Sequence, residues 1–114
     1  MSKSQVKHEP SSAQARRSAR ARRLRGAVLE LLAEESPERL NADVLLGVLE
    51  RLHYDVTARG LAAALAYLRS RAYVEFEELR SRQVPQLRIV RVGLTAQGAD
   101  VVEANITDPG IDLP

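Results

Sequence analysis

The segment TARGLAAALAYLRSRAYVEFEEL, residues 57–79, decides the fold because its apolar period changes part-way along. Leucines recur at helical spacing at Leu61, Leu65 and Leu68, and Thr57 is a good N-cap residue. From Tyr73 onward, β-forming residues alternate in part with glutamates. The segment therefore predicts a helix over residues 58–71 that leads directly into a strand over residues 73–79.

Two more helices are predicted before this segment. The first begins between Ala15 and Ala21 and ends near Glu35, because Ser36 and Pro37 stop it. Its apolar face is Leu24, Val28, Leu31 and Leu32. Leu40 is expected to form a single short strand. The second helix spans residues 42–53, with Asn41 as its N-cap, and is expected to bury Val44, Leu45, Val48, Leu49 and Leu52.

A hairpin and a short helix are predicted after it. Residues 87–92 read as the partner strand, and Pro85 keeps residues 80–86 out of the ladder. Thr95 is expected to cap a helix over residues 96–104. The expected fold class is α+β, mainly α. Its parts are a disordered basic arm (1–20), one domain (21–104) and an extended tail (105–114).

The charge is divided unevenly along the chain. Residues 1–25 contain eight basic side chains and one acidic side chain, and the remainder contains nine basic and fourteen acidic ones. If nucleic acid is the partner, much of the attraction is therefore expected from the N-terminal part.

Composition excludes several classes of function. The chain has no cysteine, which excludes disulfides, thiolate catalysis and cysteine-based zinc sites. No histidine–carboxylate cluster, phosphate loop or catalytic triad pattern appears, so we expect no enzyme, no metal and no cofactor. No apolar run is long enough to span a membrane, and the N-terminus lacks the apolar block of a secretory signal, so a cytoplasmic protein is expected.

The order of elements resembles a winged helix-turn-helix domain, with a three-helix core, a two-stranded wing and a short C-terminal helix. Residues 56–61 resemble the start of a recognition helix, and residues 65–74 resemble its end. Leu94-Thr95-Ala96-Gln97-Gly98 resembles the "LT..G" of MarR-, PadR- and ArsR-like regulators. Gly98, Asp100, Pro109 and Gly110 are similar to residues of small winged-helix proteins of Mu-like phages and prophages. Ala72 departs from the pattern, which often has glycine there, so a different turn is expected after helix 3.

The resemblance implies a homodimer that binds double-stranded DNA and acts as a transcriptional regulator or phage accessory factor. Helix 3 would enter the major groove, and helix 1 and the C-terminal helix would form the dimer. Helix 3 is expected to present Ala58, Ala63 and Ala64 beside its contact residues. The residues expected to contact DNA lie in the arm, in helix 3 and in the wing: Arg16, Arg17, Arg20, Arg22, Arg23, Thr57, Arg59, Tyr67, Arg71, Arg80, Arg82 and Arg88.

Other interpretations of the same residues stay open. The alanines of helix 3 predict weak base reading, or they merely allow close packing. Arg80, Arg82 and Arg88 either contact DNA or form a solvated loop that pairs with Glu75, Glu77 and Glu78. The N-terminal arginines either bind the DNA backbone, dock on RNA or an acidic protein, or have no partner. The alternative function is therefore a protein–protein adaptor.

Overall fold

Four helices and one two-stranded antiparallel sheet make up the part of the chain that the computed structural model describes, residues 11–80 and 87–114. This is an α+β fold, mainly helical, as the sequence predicts. The elements follow the predicted order: α1 (Ser12–Glu35), α2 (Ala42–Arg51), α3 (Ala58–Ser70), β1 (Val74–Arg80), β2 (Leu87–Leu94) and α4 (Ala96–Val102).

The core lies where α1 packs against α3, α4 and β2, while α2 packs against α3 and β2. Its main side chains are aliphatic, and the predicted inward face of α3 is confirmed by the full or nearly full burial of Leu61, Leu65 and Leu68. Val44 and Leu52 of the predicted second-helix face are instead 46% and 53% exposed. The burial of Leu45 and Leu49 is confirmed and Val48 is half-buried, whereas Val44 and Leu52 are exposed because α2 is covered on one side only.

Helix α1 begins at Ser12, before the predicted Ala15–Ala21 window. The Ser11 hydroxyl oxygen accepts a hydrogen bond from the Gln14 N–H at 3.1 Å, which caps the helix. Residues 12–20 are therefore helical and do not belong to a disordered arm. The good helix propensity of the Ala and Arg residues explains this extension. The predicted disorder of residues 1–10 lies outside the described residues.

A bulge in the hairpin redirects the side chain of Asn41. The predicted Leu40 strand is confirmed as an isolated antiparallel bridge to Val92. The strand register shifts between Glu75 and Glu77, and Arg91 adopts a φ of 55° in the partner strand. The Arg91 N–H donates a hydrogen bond to the Asn41 Oδ1 at 3.0 Å. Asn41 is thus the N-cap by position, but its side chain does not cap α2 as predicted.

The C-terminal segment, residues 105–114, contains no helix or strand, and it packs against α1. Ile111 is buried, and the Asp112 N–H donates to the Arg22 carbonyl of α1 at 3.1 Å. The segment crosses α1 at Gly26, where a Cβ atom would overlap the Asp112 carbonyl. The crossing therefore requires glycine at this position of the helix.

Three helices end in a left-handed residue, and none of the three is glycine. The residues are His53, Ala72 and Ala104, with φ of 68°, 64° and 65°. After α3, the Tyr73 N–H bonds to the Leu68 carbonyl at 2.9 Å, as in a Schellman motif. The expectation of a different turn at Ala72 is therefore wrong. Alanine adopts the conformation that glycine favours, and its Cβ strains the turn.

We expect Ala72→Gly to raise the free energy of unfolding by about 1 kcal/mol, because glycine removes the strain of the left-handed conformation. The measurement is urea denaturation followed by circular dichroism. Ala63→Gly is the matched control, since Ala63 is exposed within α3. There the same substitution should lower stability by about 1 kcal/mol. Equal effects of one sign at both positions would contradict this account.

Candidate nucleic-acid interface

The solvent-exposed face of α3 has fewer residues and smaller side chains than the sequence predicted. Arg59, Ala63, Ala66 and Ser70 are exposed on the side opposite the core. Ala64, predicted to point outward, is buried with 4% exposure, because its position on the helix faces inward beside Leu61 and Leu65. On this face, Arg59 is the side chain with the donor geometry for a guanine edge.

Thr57 lies at the start of this face, and the first turn of α3 uses its hydroxyl. The Thr57 Oγ1 accepts a hydrogen bond from the Gly60 N–H at 3.0 Å, which confirms the predicted N-cap. The residue is exposed, and its hydroxyl retains one O–H group that can donate a hydrogen bond. A phosphate placed there would also meet the positive end of the helix dipole.

The arginines of α1 form an ordered row on a helix. Arg16, Arg20 and Arg23 are exposed and lie at i, i+4 and i+7, which places them on one face. The helix has 24 residues, and its first buried residue is Gly26. The helical turns that carry this row of arginines therefore lie N-terminal to the buried part of α1. Their backbone is already helical before any partner binds.

A cleft of about 550 Å³ separates this row from α3, and we name it the α1–α3 cleft. Arg20 and Arg23 line it from α1, and Thr57 lines it from α3. The Arg23 guanidinium lies 5.9 Å from the ring centroid of Tyr54. The structure thus brings together predicted site residues that are more than 30 positions apart in the sequence.

Ion pairs in the β1–β2 hairpin involve other arginines than the sequence suggested. Each of the three glutamates pairs with an arginine: Glu75 with Arg39 at 3.7 Å, Glu77 with Arg91 at 3.0 Å and Glu78 with Arg69 at 3.3 Å. Within the described residues, Arg80 and Arg88 form no ion pair and are exposed. Arg82 lies outside the described residues.

Arg88 faces a second cleft, of about 290 Å³, on the other flank of α3. Ala58 and Ala62 line this cleft from α3, and Asn41 and Asp43 line it from the start of α2. Arginines that form no ion pair with the described residues therefore lie on both sides of the exposed α3 face, Arg88 on the hairpin side and Arg20 and Arg23 on the α1 side.

Tyr67 and Arg71 do not belong to the exposed α3 face on which the sequence placed them. Two guanidiniums contact the Tyr67 ring, with the Arg25 Cζ 3.8 Å and the Arg71 Cζ 4.9 Å from the ring centroid. Its hydroxyl donates to the Asp108 carboxylate at 3.1 Å, and Arg71 approaches the same carboxylate at 3.9 Å. Arg22, also predicted to contact DNA, pairs with Asp112 at 3.6 Å.

Asp108 is the buried charge around which this second group of residues assembles. Its side chain is 3% exposed, and it accepts hydrogen bonds from the Tyr73 hydroxyl and the Gly110 N–H, both at 2.8 Å. Sequence reasoning missed it, although Asp-Pro-Gly at 108–110 is a typical turn sequence. The turn could be predicted from the sequence. The burial of its carboxylate could not, because the tyrosines that cover it come from distant positions in the chain.

The ionised form of Asp108 is stabilised. Burial disfavours the charge, but the hydrogen bonds from Gly110, Tyr73 and Tyr67 and the Arg71 guanidinium outweigh burial and hold the pKa of Asp108 below its ordinary value. Burial raises the pKa of Tyr67 and Tyr73, and the adjacent carboxylate raises it further. Both hydroxyls therefore keep their protons and donate to Asp108 at neutral pH.

Among residues 11–80 and 87–114, no three His, Cys, Asp or Glu side chains lie close enough to hold a metal ion. No helix in this part of the chain is long and apolar enough to cross a membrane.

Comparison of the chain with protein-family models, curated proteins and solved structures finds no match. The function must therefore be inferred from the surfaces described above.

We expect Asp108→Ala to lower the free energy of unfolding by about 3 kcal/mol, because two tyrosine hydroxyls and one N–H lose their buried acceptor. Asp112→Ala is the control, since this residue lies in the same segment and its ion pair is half exposed. It should cost less than about 1 kcal/mol. The measurement is urea denaturation at neutral pH, and equal losses for the two variants would contradict the role of Asp108.

Acid should weaken the protein partly through this same group. Because the folded-state pKa of Asp108 is lowered, its contribution is complete above the ordinary pKa of 3.8 and is lost as the pH falls from there toward the folded value. We expect Asp108→Asn to lose less stability than the native chain between neutral pH and a pH of about 3. Parallel stability curves for the two proteins would show that Asp108 does not titrate in this way.

Proposed function

We propose that the protein is a winged-helix DNA-binding protein that holds duplex DNA against α3, with the hairpin as the wing. The order of its elements supports this assignment, since a helix, a single bridge at Leu40, two helices, a hairpin and a final helix follow one another. In such a domain α3 is the recognition helix, and the wing lies beside it.

The observation that carries the proposal is the position, on both flanks of α3, of arginines that form no ion pair in the described part of the chain. Arg20 and Arg23 line the α1–α3 cleft, and Arg88 lines the cleft on the hairpin side. The hairpin glutamates each pair with an arginine other than Arg80 and Arg88. A duplex placed on α3 would thus meet guanidiniums along both of its flanking phosphate strands.

Contacts with the DNA backbone supply most of the affinity in this proposal. Arg59 offers base contacts, whereas Ala63 and Ala66 offer only apolar contact with a thymine methyl group. The α1 row approaches the backbone as a preformed helix, so it loses little conformational entropy on binding. Weak base selectivity suits an accessory DNA-binding factor of the cytoplasm, such as a phage encodes, better than a regulator that reads one operator.

The expected homodimer through helix 1 and the C-terminal helix stays a prediction. The exposed large apolar side chains of the described residues, Val44, Leu52 and Leu79, lie on α2 and β1 rather than on α1 or α4. A gel-filtration mass equal to one chain would exclude the dimer, and it would leave the DNA proposal unchanged.

A protein–protein adaptor is the second candidate, and one observation favours it. Val44 and Leu52 are exposed on one side of α2, where an apolar partner surface would cover them. On this account the chain binds no duplex, and substitutions in the arginine row change nothing that a DNA assay measures.

The proposal is tested by fluorescence anisotropy of a random-sequence duplex across a salt series. We expect Arg20→Ala, Arg23→Ala and Arg88→Ala each to weaken binding several-fold and to reduce the slope of log affinity against log salt by about 1, because each removes one phosphate contact. Arg59→Ala should reduce the preference among sequences that a competition assay detects.

Arg51→Ala is the matched control. Arg51 is exposed on α2, hydrogen-bonds to the Gly47 carbonyl of its own helix, and lines neither flank of α3. Its loss removes the same charge and should leave affinity nearly unchanged. If Arg51→Ala weakens binding as much as Arg20→Ala, attraction is due to overall charge and not to this surface. If the native chain binds no duplex at low salt, the adaptor is the better account.

A further inference from the structure

A third cleft adjoins the α1–α3 cleft and shares Ala21 and Arg25 with it, and four arginines line it. Its volume is about 620 Å³. Arg17, Arg22 and Arg25 come from α1, and Arg71 comes from the residue that ends α3. The turn at residues 107–110 forms the remaining wall, and we name this space the arginine cleft.

Carboxylates balance two of these four charges. Arg71 lies 3.9 Å from Asp108, and Arg22 lies 3.6 Å from Asp112. Among the described residues that line the cleft, Asp108 is the one carboxylate, and it is already engaged by two tyrosine hydroxyls and the Gly110 N–H. The cleft therefore has an excess of positive charge that its own acidic residues do not neutralise.

Arg17 and Arg25 carry that excess. Arg25 donates to the Gly110 carbonyl at 3.0 Å, which is a neutral acceptor, and its Nε is buried without a hydrogen-bond partner among the described residues. Arg17 is exposed and forms no ion pair in the described part of the chain. A buried donor without an acceptor is costly, so a bound anion would be favoured by charge and by any hydrogen bond that relieves it.

The side chains that line the arginine cleft are held in position before any ligand binds. The Arg25 guanidinium stacks 3.8 Å from the Tyr67 ring, and the Asp108 carboxylate anchors that ring through its hydroxyl. A Cβ atom at Gly110 would overlap the Tyr67 hydroxyl, so the turn approaches the ring as closely as a glycine allows. Arg25 is therefore fixed before any ligand binds, which lowers the entropic cost of binding.

We propose that the arginine cleft binds a phosphate group. The planar guanidinium forms paired hydrogen bonds to phosphate oxygens, which a monoester and a backbone phosphodiester both present. The two uncompensated guanidiniums match the double negative charge of a monoester in full and the single charge of a phosphodiester in part. The Ser18 and Thr107 hydroxyls in the same cleft supply further donors. The phosphate belongs either to a small phosphorylated molecule or to a nucleic-acid backbone that extends past α1.

The test uses inorganic phosphate as the probe, at constant ionic strength set with chloride. Backbone amide resonances are followed by NMR during the titration. We expect saturable shifts at residues 17–25, 71 and 107–110, and a higher melting temperature in phosphate than in chloride. Shifts that are spread evenly over all arginines, or that do not saturate, would overturn the proposal.

Arg17→Ala should weaken phosphate binding about ten-fold, because it removes one charge-assisted contact. Arg16→Ala is the matched control. It removes the same charge from the adjacent residue of the same helix, but Arg16 does not line the cleft, so binding should be unchanged. Neither arginine has a partner in the described residues that its loss would disrupt, and equal effects of the two substitutions would overturn the proposal.

Two further arms identify the source of the phosphate and separate this inference from DNA binding. If phosphate still saturates the cleft when duplex DNA is bound, the ligand is a small phosphorylated molecule. If duplex and phosphate compete, and Arg17→Ala weakens both, the ligand is the nucleic-acid backbone. A glutamate-rich peptide that binds through Arg17 while phosphate does not would overturn the proposal. Phosphate binding without any duplex binding would support this inference and contradict only the proposed function.

Discussion

The buried Asp108 carboxylate is the interaction on which the arrangement of the helices depends. It accepts from Tyr67 of α3 and from Tyr73 at the start of β1, and its own turn is attached to α1 through Arg25 and Gly110. The C-terminal segment thus ties α1 to the α3–β1 junction. The position of α1 in turn shapes both the α1–α3 cleft and the arginine cleft. A buried carboxylate is tolerated in this small aliphatic core because strong hydrogen-bond donors satisfy its charge, and the carboxylate in turn satisfies those donors.

The pairing of charges also determines which arginines remain available on the surface around α3, where we propose that an anionic partner binds. Outside its first 25 residues the chain is acidic, yet the three glutamates of β1 are each paired with an arginine. Apart from Arg51 on α2, the described arginines that form no ion pair with described residues lie on α1, on α3 and on the hairpin. Net charge alone therefore misleads, because a phosphate backbone meets the local distribution of guanidiniums and not their sum.

Local elements of the fold could be predicted because short-range rules govern them. Thr57 and Thr95 cap their helices as expected, since an N-cap bond joins residues three positions apart. The Leu61–Leu65–Leu68 face follows from helical periodicity. The Asn41 side chain escaped prediction because its partner is the Arg91 N–H, which a bulge 50 residues away releases from the ladder. The exposure of Val44 and Leu52 depends on which side of α2 its neighbours cover.

The candidate site divides in the same way. Sequence by itself determined the residue types available for binding, the α+β order of elements, the alanine-rich face of α3 and the concentration of arginine near the N-terminus. Tertiary structure alone decided that Arg20 and Arg23 stand beside Thr57, and that Tyr67 and Arg71 turn from the exposed face toward Asp108. The reason is the range of the forces involved. Helix and strand patterns depend on neighbours within a few residues, whereas a buried carboxylate takes whichever donors the packed chain brings to it, here from 35 and 41 positions away.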